Sequence, residues 1–376
     1  MLDQQKLFKA LDVLKDEFLH ASHDECTFAL QQWKKIENDD ALRNCKQSSL
    51  FVPTWDGEFK ETKKINHEQM EYPIIAVDGS QIYPDRHEGL PCALVHIGGL
   101  YIHYKKQNYP EQDSPEQNSS VEFFSEPYVY RARYSEGHEL SADIIDCHRH
   151  ELELKTALHM ALHYEKKYGE KFRQAGPAQV RTVVFFDGSL IFWHLEGKPR
   201  LKELYFDRYC ALLQKFYEHR ILLVSYISLP KSKELINIIR CCDTENTYNT
   251  IVDADLMAHV LKPYERSTIF ANHAPITQSY PSEMKPYFFY VNGGHEVGRV
   301  EIPRWLVKDP AFNRIESIII DQIIKGDGYP IMLAEAHEKA VIKTRDRLVF
   351  CRLLEQYGCQ SLGISRKLHK KQRPCV

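Results

Sequence analysis

Apolar and polar positions recur with different periods along this chain, and the periods mark out its elements. Leu7, Leu11, Leu14 and Phe18 are spaced with charges between them, which predicts one or two amphipathic helices over residues 1 to about 50, packed outside a main sheet. A polar stretch follows from Pro53 to Tyr72. Ile74-Ile75-Ala76-Val77 and, about a hundred residues on, Val183-Val184-Phe185-Phe186 are unbroken apolar runs. Four consecutive apolar residues cannot alternate in and out, so each run predicts a strand covered on both faces. Each leads into Asp-Gly-Ser, at Asp78-Gly79-Ser80 and Asp187-Gly188-Ser189, delivering an aspartate to the end of a buried strand where water can enter.

Segments Ala93–Ile97 and Leu100–Tyr104 predict an antiparallel hairpin or meander continuing from the first of these strands. Residues 107 to 120, rich in Gln, Asn, Pro, Ser and acids, read as an exposed loop. The clearest helix runs from about Ile144 to Tyr168, where Leu154, Ala157, Leu158, Ala161 and Leu162 repeat at helical spacing. Gly169 to Thr182 is a charged connection into the second Asp-Gly-Ser strand. Helix Arg200–His219, strand Ile221–Ile227 and a helix near Ser232–Cys241 then alternate, which argues for an α/β sheet. Helix Asp253–Val260, strand-like runs Tyr287–Val291 and Val297–Ile302 about a turn at Gly293-Gly294, and a long helical region from Ile315 to Leu354 complete the pattern. The two Asp-Gly-Ser strands are the only internal repeat.

At 376 residues the chain can bury a large core as one elaborated domain or two. The start lacks the continuous apolar core of a signal peptide, and no run approaches a membrane span. Ten cysteines are scattered without a Cys-x-x-Cys pair, Cys241 and Cys242 being adjacent, which points to the reducing cytoplasm. A net charge of −3 means that nucleic-acid binding has to come from local patches. The best patch is the tail, with Arg366, Lys367, His369, Lys370, Lys371 and Arg373, a composition equally suited to a solvated terminus.

Asp-Gly is a common turn signal, but two copies sharing all three polar positions make paired carboxylates from neighbouring strands a candidate metal site. A two-metal site needs three or four oxygen ligands. Asp78 and Asp187 supply two, and the helix before the second strand offers Glu151 or Glu153. Periodicity places Glu151 nearer the apolar face and Glu153 about 100° from its centre. The segment from Gly328 to His337 sets Tyr329 and His337 about a turn and the start of a helix, with Pro330 suited to its first positions. A histidine beside phosphate and metal can ligate or move a proton, and a tyrosine hydroxyl can bind a phosphate oxygen. Lys231, Lys233 and Arg266 are candidate contacts to a phosphate backbone. P-loop, Gly-x-Ser-x-Gly and His-Glu-x-x-His motifs are absent.

These pieces together resemble the NurA nuclease family, whose members work with the HerA DNA translocase in processing DNA ends. The resemblance runs from about Ile74 to Leu354. It rests on Ala-Val-Asp-Gly-Ser at 76–80, Glu-Leu-Lys-Thr-Ala-Leu at 153–158, Phe-Phe-Asp-Gly-Ser-Leu at 185–190 and Ser-Tyr-Ile-Ser at 225–228. Glu-Arg-Ser at 265–267, Arg-Val-Glu-Ile-Pro at 299–303, and Gly-Tyr-Pro at 328–330 followed by Ala-His at 336–337 complete it.

The resemblance implies a ribonuclease H-like mixed α/β sheet flanked by helices, with N-terminal and inserted helical or loop elements. It divides the chain into an N-terminal helical extension (1–70), a nuclease domain (71–356) and a basic tail (357–376). It makes Asp78, Glu153 and Asp187 the ligands of two manganese or magnesium ions, with Tyr329 and His337 as further catalytic residues and His337 as a possible ligand. It also implies a DNA substrate, a homodimer and docking on a HerA-type hexameric ATPase, through the N-terminal helices or the 107–120 loop. Two other readings share parts of the pattern. An actin-like or sugar-kinase-like ATPase has a related core, but wants a residue between the aspartate and glycine and a second glycine-rich pocket that this sequence does not offer. A DNA-end binding adaptor would keep the fold without the chemistry.

Overall fold

The computed structural model describes residues 3–68, 70–84, 92–105, 119–131, 141–173, 181–243 and 248–357. The predicted 107–120 loop lies outside these up to residue 118, as do most of the Gly169–Thr182 connection, the basic tail and the side chains of Leu14 and Phe18. In chain order, helices α1 (Gln4–Lys35) and α2 (Asn38–Gln47) precede the short strands β1 (Thr54–Trp55) and β2 (Thr62–Lys64). Strands β3 (Tyr72–Ile82), β4 (Cys92–Tyr104) and β5 (Ser119–Arg131) lead to helix α3 (Ala142–Arg173) and strand β6 (Val183–Asp187). Next come α4 (Pro199–Glu218), β7 (Leu222–Ile227), α5 (Glu234–Cys242) and α6 (Asp253–Val260). Strands β8 (Glu265–Ser267), β9 (Phe270–Ala271), β10 (Pro286–Asn292) and β11 (Val297–Pro303) follow. The last helices are α7 (Arg304–Val307), α8 (Phe312–Lys325), α9 (Ile331–Ala340) and α10 (Thr344–Gln356).

Two compact units divide this chain. One comprises residues up to Glu68, the turn Gly188–Ile191 and Ser225–Tyr329; the other comprises Gln69–Asp187, Phe192–Val224 and the chain from Pro330 onward. In the first, β10 pairs antiparallel with β11 in an unbroken register from Pro286↔Pro303 to Asn292↔Val297, turning at Gly294 with φ +95°. The second half of β7 pairs antiparallel with β11 on its other side. The core of this unit joins Cys26, Ala29, Trp33 and Ile36, spaced three or four apart on and just beyond α1, to Leu235, Ile236, Ile238 and Ile239 of α5. Leu7 and Leu11 are exposed, so these two do not lie on the packing face of α1. A helix of 32 residues extends about 48 Å, and its C-terminal half carries the buried stripe.

In the second unit β3, β4 and β5 form an antiparallel meander, and β6 joins the free side of β3 in parallel. With β7 next to β6, the spatial order is β7-β6-β3-β4-β5. This is a mixed α/β fold with a central mixed sheet, an antiparallel meander of three strands with β6 added parallel to the first of them. Ile74, Ile75, Ala76, Val77 and Val183 to Phe186 are all buried, as their unbroken apolar runs require. Helix α3 covers one face of the meander with Leu154, Ala157, Leu158, Ala161 and Tyr164, each buried large side chain contributing roughly 1.5–3 kcal/mol. Helix α9 lies against β3 and β4.

Four expectations change. β3 runs on through Asp78-Gly79-Ser80 to Ile82, so the parallel pairing with β6 ends at Val77, just before Asp78, while the strand itself continues. Ala93–Ile97 and Leu100–Tyr104 are one strand, because Gly98-Gly99 is a place of close approach and not a turn. A Cβ on Gly98 would stand 2.5 Å from the Lys339 carbonyl of α9, and one on Gly99 2.5 Å from the Phe124 ring. Ile315–Leu354 is three helices, broken at Asp327-Gly328, where φ is positive, and again where the chain turns extended at Val341. β5 went unpredicted, since its Ser, Glu and Pro residues hide the alternation.

Gly98→Ala is expected to destabilise the chain by about 1–3 kcal/mol in denaturant unfolding, because α9 backbone has to move aside. Wild-type stability there would mean that α9 does not press on β4.

Candidate functional site

The register between β3 and β6 runs Ile74↔Val183 to Val77↔Phe186, so the next residue on each strand is Asp78 and Asp187. Adjacent strands lie about 4.8 Å apart, which sets the two aspartates abreast at the end of the parallel pairing. Asp78 Oδ1 accepts the Gly79 amide at 2.7 Å, and its Oδ2 lies 2.9 Å from His337 Nδ1 on α9. The His337 side chain is 59% exposed, so this ring has one edge on the carboxylate and the rest in water.

Glu153 reaches the same strand from the opposite face. Successive residues of a strand point to opposite sides, and a Cβ on Gly79 would stand 2.6 Å from Glu153 Oε1. Glycine at 79 is therefore the space that the Glu153 carboxylate occupies. Arg149, one helical turn earlier, donates to Glu153 Oε1 at 2.5 Å and to the Gly79 carbonyl at 3.5 Å. Glu153 is only 4% exposed, and burial pushes its pKa up to about 8, against the pull of Arg149 and with the help of the Asp78 and Asp187 charges. The three carboxylates thus lie within electrostatic reach of one another. Next to Glu153, the His150 ring is boxed by Phe186, Phe192, His194 and Tyr209, and burial drives its pKa well down, keeping it neutral.

Glu151, which periodicity favoured, instead pairs with Arg208 at 2.6 Å on the rim of α3. The buried stripe includes Glu153, Ala157, Ala161 and Tyr164 while Leu162 is only half-buried, so the true face is rotated away from Glu151.

The second Asp-Gly-Ser turn is anchored within the first unit. Gly188 has φ +104°, a conformation that favours glycine, and its amide donates to the Tyr226 carbonyl at 3.2 Å. The Ser225 hydroxyl donates to the Gly188 carbonyl. The Ser189 hydroxyl and the Leu190 amide both donate to Glu301 Oε2 at 2.8 Å. Glu301 is itself buried and takes Arg299 Nε at 2.8 Å, while Arg299 Nη1 reaches Glu234 at 2.9 Å and its guanidinium lies 3.7 Å from the Phe288 ring centre. The Ser-Tyr-Ile-Ser and Arg-Val-Glu-Ile-Pro motifs are thus the clasp on the turn after Asp187, a role that sequence spacing did not disclose.

Tyr329 closes the first unit with its ring edge-on to Tyr226 at 5.6 Å. Arg266, read as a phosphate contact, is largely buried and committed to Glu316, which also takes Lys63 at 2.7 Å. Lys233 donates to the Asn249 carbonyl, and Lys231 is exposed.

Hard oxygen donors on adjacent strands suit a divalent cation; burial is the main cause of the raised Glu153 pKa, and a cation would offset both that penalty and the added repulsion from Asp78 and Asp187. Among the described residues no three His, Cys, Asp or Glu side chains converge as a finished ligand cluster. Glu153 faces Arg149 and Asp78 faces His337, so internal partners hold two of the carboxylates.

A family model described as the NurA domain matches residues 72–342. No curated protein matches the chain. Among solved structures, a crystal structure of Drosophila Piwi is similar at 11% identity and a TM-score of 0.27, covering 70% of this chain and 28% of that one. A crystal structure of A. aeolicus Argonaute is similar at 10% identity and a TM-score of 0.26, covering 73% and 28%. The chain spans little more than a quarter of the length of either, and likenesses this distant define neither substrate nor mechanism.

Two outcomes are expected. A carboxyl whose pKa is higher folded than unfolded favours the fold below the unfolded pKa and loses that contribution as pH rises toward its folded value. Denaturant stability measured in chelator is therefore expected to fall between about pH 5 and about pH 8, and Glu153→Gln to flatten that slope. An unchanged slope would mean that Glu153 is not the group responsible. Glu301→Ala is expected to cost about 3–5 kcal/mol by leaving Arg299 partly uncompensated and the turn without its acceptor. A cost under about 1 kcal/mol would place the clasp in water.

Proposed function

We infer the function from the family: this chain belongs to the NurA family, a family of nucleases, and we propose that it hydrolyses DNA phosphodiester bonds with divalent cations. The observation that supports this best is the register that sets Asp78 and Asp187 abreast, with Glu153 in their electrostatic field and His337 on Asp78. In this reading Asp78, Glu153 and Asp187 would hold two manganese or magnesium ions, which would supply Lewis-acid stabilisation of the developing charge. Glu153, on the Gly79 side of β3, has to part from Arg149 and reach past Gly79 to the Asp78 side to serve as a ligand.

His337 is the group for proton traffic. Its Nδ1 edge is oriented by Asp78, so Nε2 is the atom that carries a proton to or from the reacting phosphate, or that ligates a cation. Tyr329 contributes a hydroxyl to a phosphate oxygen. Lys231 and Lys233 neutralise backbone phosphates without reading sequence, whereas Arg266 is occupied by Glu316.

A homodimer working with a HerA-type hexameric translocase completes the proposal. The exposed Leu7, Phe8 and Leu11 of α1 are the surface on which such a partner would dock. No described helix is long and apolar enough to cross a membrane.

Asp78→Asn and Asp187→Asn are each expected to reduce manganese-dependent cleavage of DNA to background, with unchanged circular dichroism. His337→Ala is expected to lose activity on the order of a hundred-fold. Chelation should silence the wild type and added manganese restore it. A folded Asp78→Asn, Asp187→Asn double variant that still cleaves at the wild-type rate would overturn the assignment and leave a binding adaptor.

A further inference from the structure

The row of paired residues through Asp78 continues across the sheet of the second unit. Asp78 pairs with Gly98 on β4, and Gly98 pairs with Ser125 on β5, so all three share one face. Phe123, two residues before Ser125, is on that same face and is 56% exposed. Two strand spacings across and two residues along place its backbone about 12 Å from that of Asp78. This is within reach of the nucleotides flanking a phosphate held at the aspartate.

Helix α9 ties the two places together. His337 contacts Asp78, and Lys339, two residues on, sets its ammonium 4.2 Å from the Phe123 ring centre. Gly98 makes this approach feasible, since any side chain there would meet the Lys339 backbone. The end of the helix is pinned as well. The Ser80 hydroxyl and His96 Nδ1 both donate to the Ala340 carbonyl, and His96 Nε2 accepts from the Ser125 hydroxyl at 2.7 Å. An exposed aromatic ring with a lysine ammonium over one of its faces, on the face of a candidate metal-binding carboxylate, has the chemistry to stack one base on its other face and neutralise its phosphate. Bases inside a duplex are already stacked and offer only their edges, so the ring selects an unpaired one.

We propose that Phe123 and Lys339 form a stacking subsite for an unpaired base of single-stranded DNA beside Asp78. The proposal deepens the nuclease reading and rests on it for the location of the scissile phosphate. The ring takes the base, and the ammonium takes the adjoining phosphate.

The test is fluorescence anisotropy of labelled oligothymidylate and of a blunt duplex on the full chain, in chelator so that neither is cut. Phe123→Ala is expected to weaken single-strand binding by about five- to hundred-fold, to change duplex binding less than about two-fold, and to leave thermal unfolding in place. Phe123→Trp should restore single-strand affinity. Lys339→Ala should lower the salt dependence by about one counterion. Single-strand binding that is absent in the wild type, unaffected by Phe123→Ala, or lost equally for duplex and single strand would overturn the subsite. Asp187→Asn separates this from the parent reading: if that variant cleaves normally while Phe123 still governs single-strand binding, the nuclease assignment fails and the subsite stands.

Discussion

The parallel pairing of β3 with β6 is the constraint on which the rest of this structure depends. Four apolar pairs, Ile74↔Val183 to Val77↔Phe186, fix the register, and a one-residue slip would turn one aspartate to the other face. What the register brings together is costly, because neighbouring carboxylates repel and burial adds to the penalty. The chain answers with internal partners: Arg149 on Glu153 and His337 on Asp78. Hydrophobic burial in the strand interiors sets the geometry, and the charges at their ends take what it dictates.

The two Asp-Gly-Ser motifs look identical and are built for different reasons. At 78–80 the strand continues, and glycine is needed because the Glu153 carboxylate fills the space beside it. At 187–189 the strand ends, and glycine is needed for its positive φ, with open space around it. The serines differ as well. Ser80 holds the last turn of α9 through the Ala340 carbonyl, while Ser189 reports to the buried Glu301. Repetition in sequence thus marks a shared position in the site and not a shared local structure.

Much of the fold was legible because it follows from period. The unbroken apolar runs gave β3 and β6, and α3, α4, α6, β10 and β11 fall within a few residues of their predicted spans. Features decided by contacts between distant segments were not legible. Gly98-Gly99 reads as a break until α9 is seen lying on it, and Leu7 and Leu11 read as a buried face until the core is found on Cys26, Ala29 and Trp33. The choice of Glu153 over Glu151 turned on a modest rotation of the α3 stripe, which single-helix periodicity cannot resolve. Arg149 left no sequence signal, since an arginine four residues before a glutamate is ordinarily a surface pair.

The proposed chemistry requires Asp78 and Asp187 to share a divalent cation. Anomalous diffraction from crystals soaked in manganese tests it most directly. A manganese peak within about 2.0–2.4 Å of carboxylate oxygens from both aspartates, with Glu153 turned from Arg149 toward it, is the expected result. Manganese bound elsewhere, or held by only one of the pair, would contradict it.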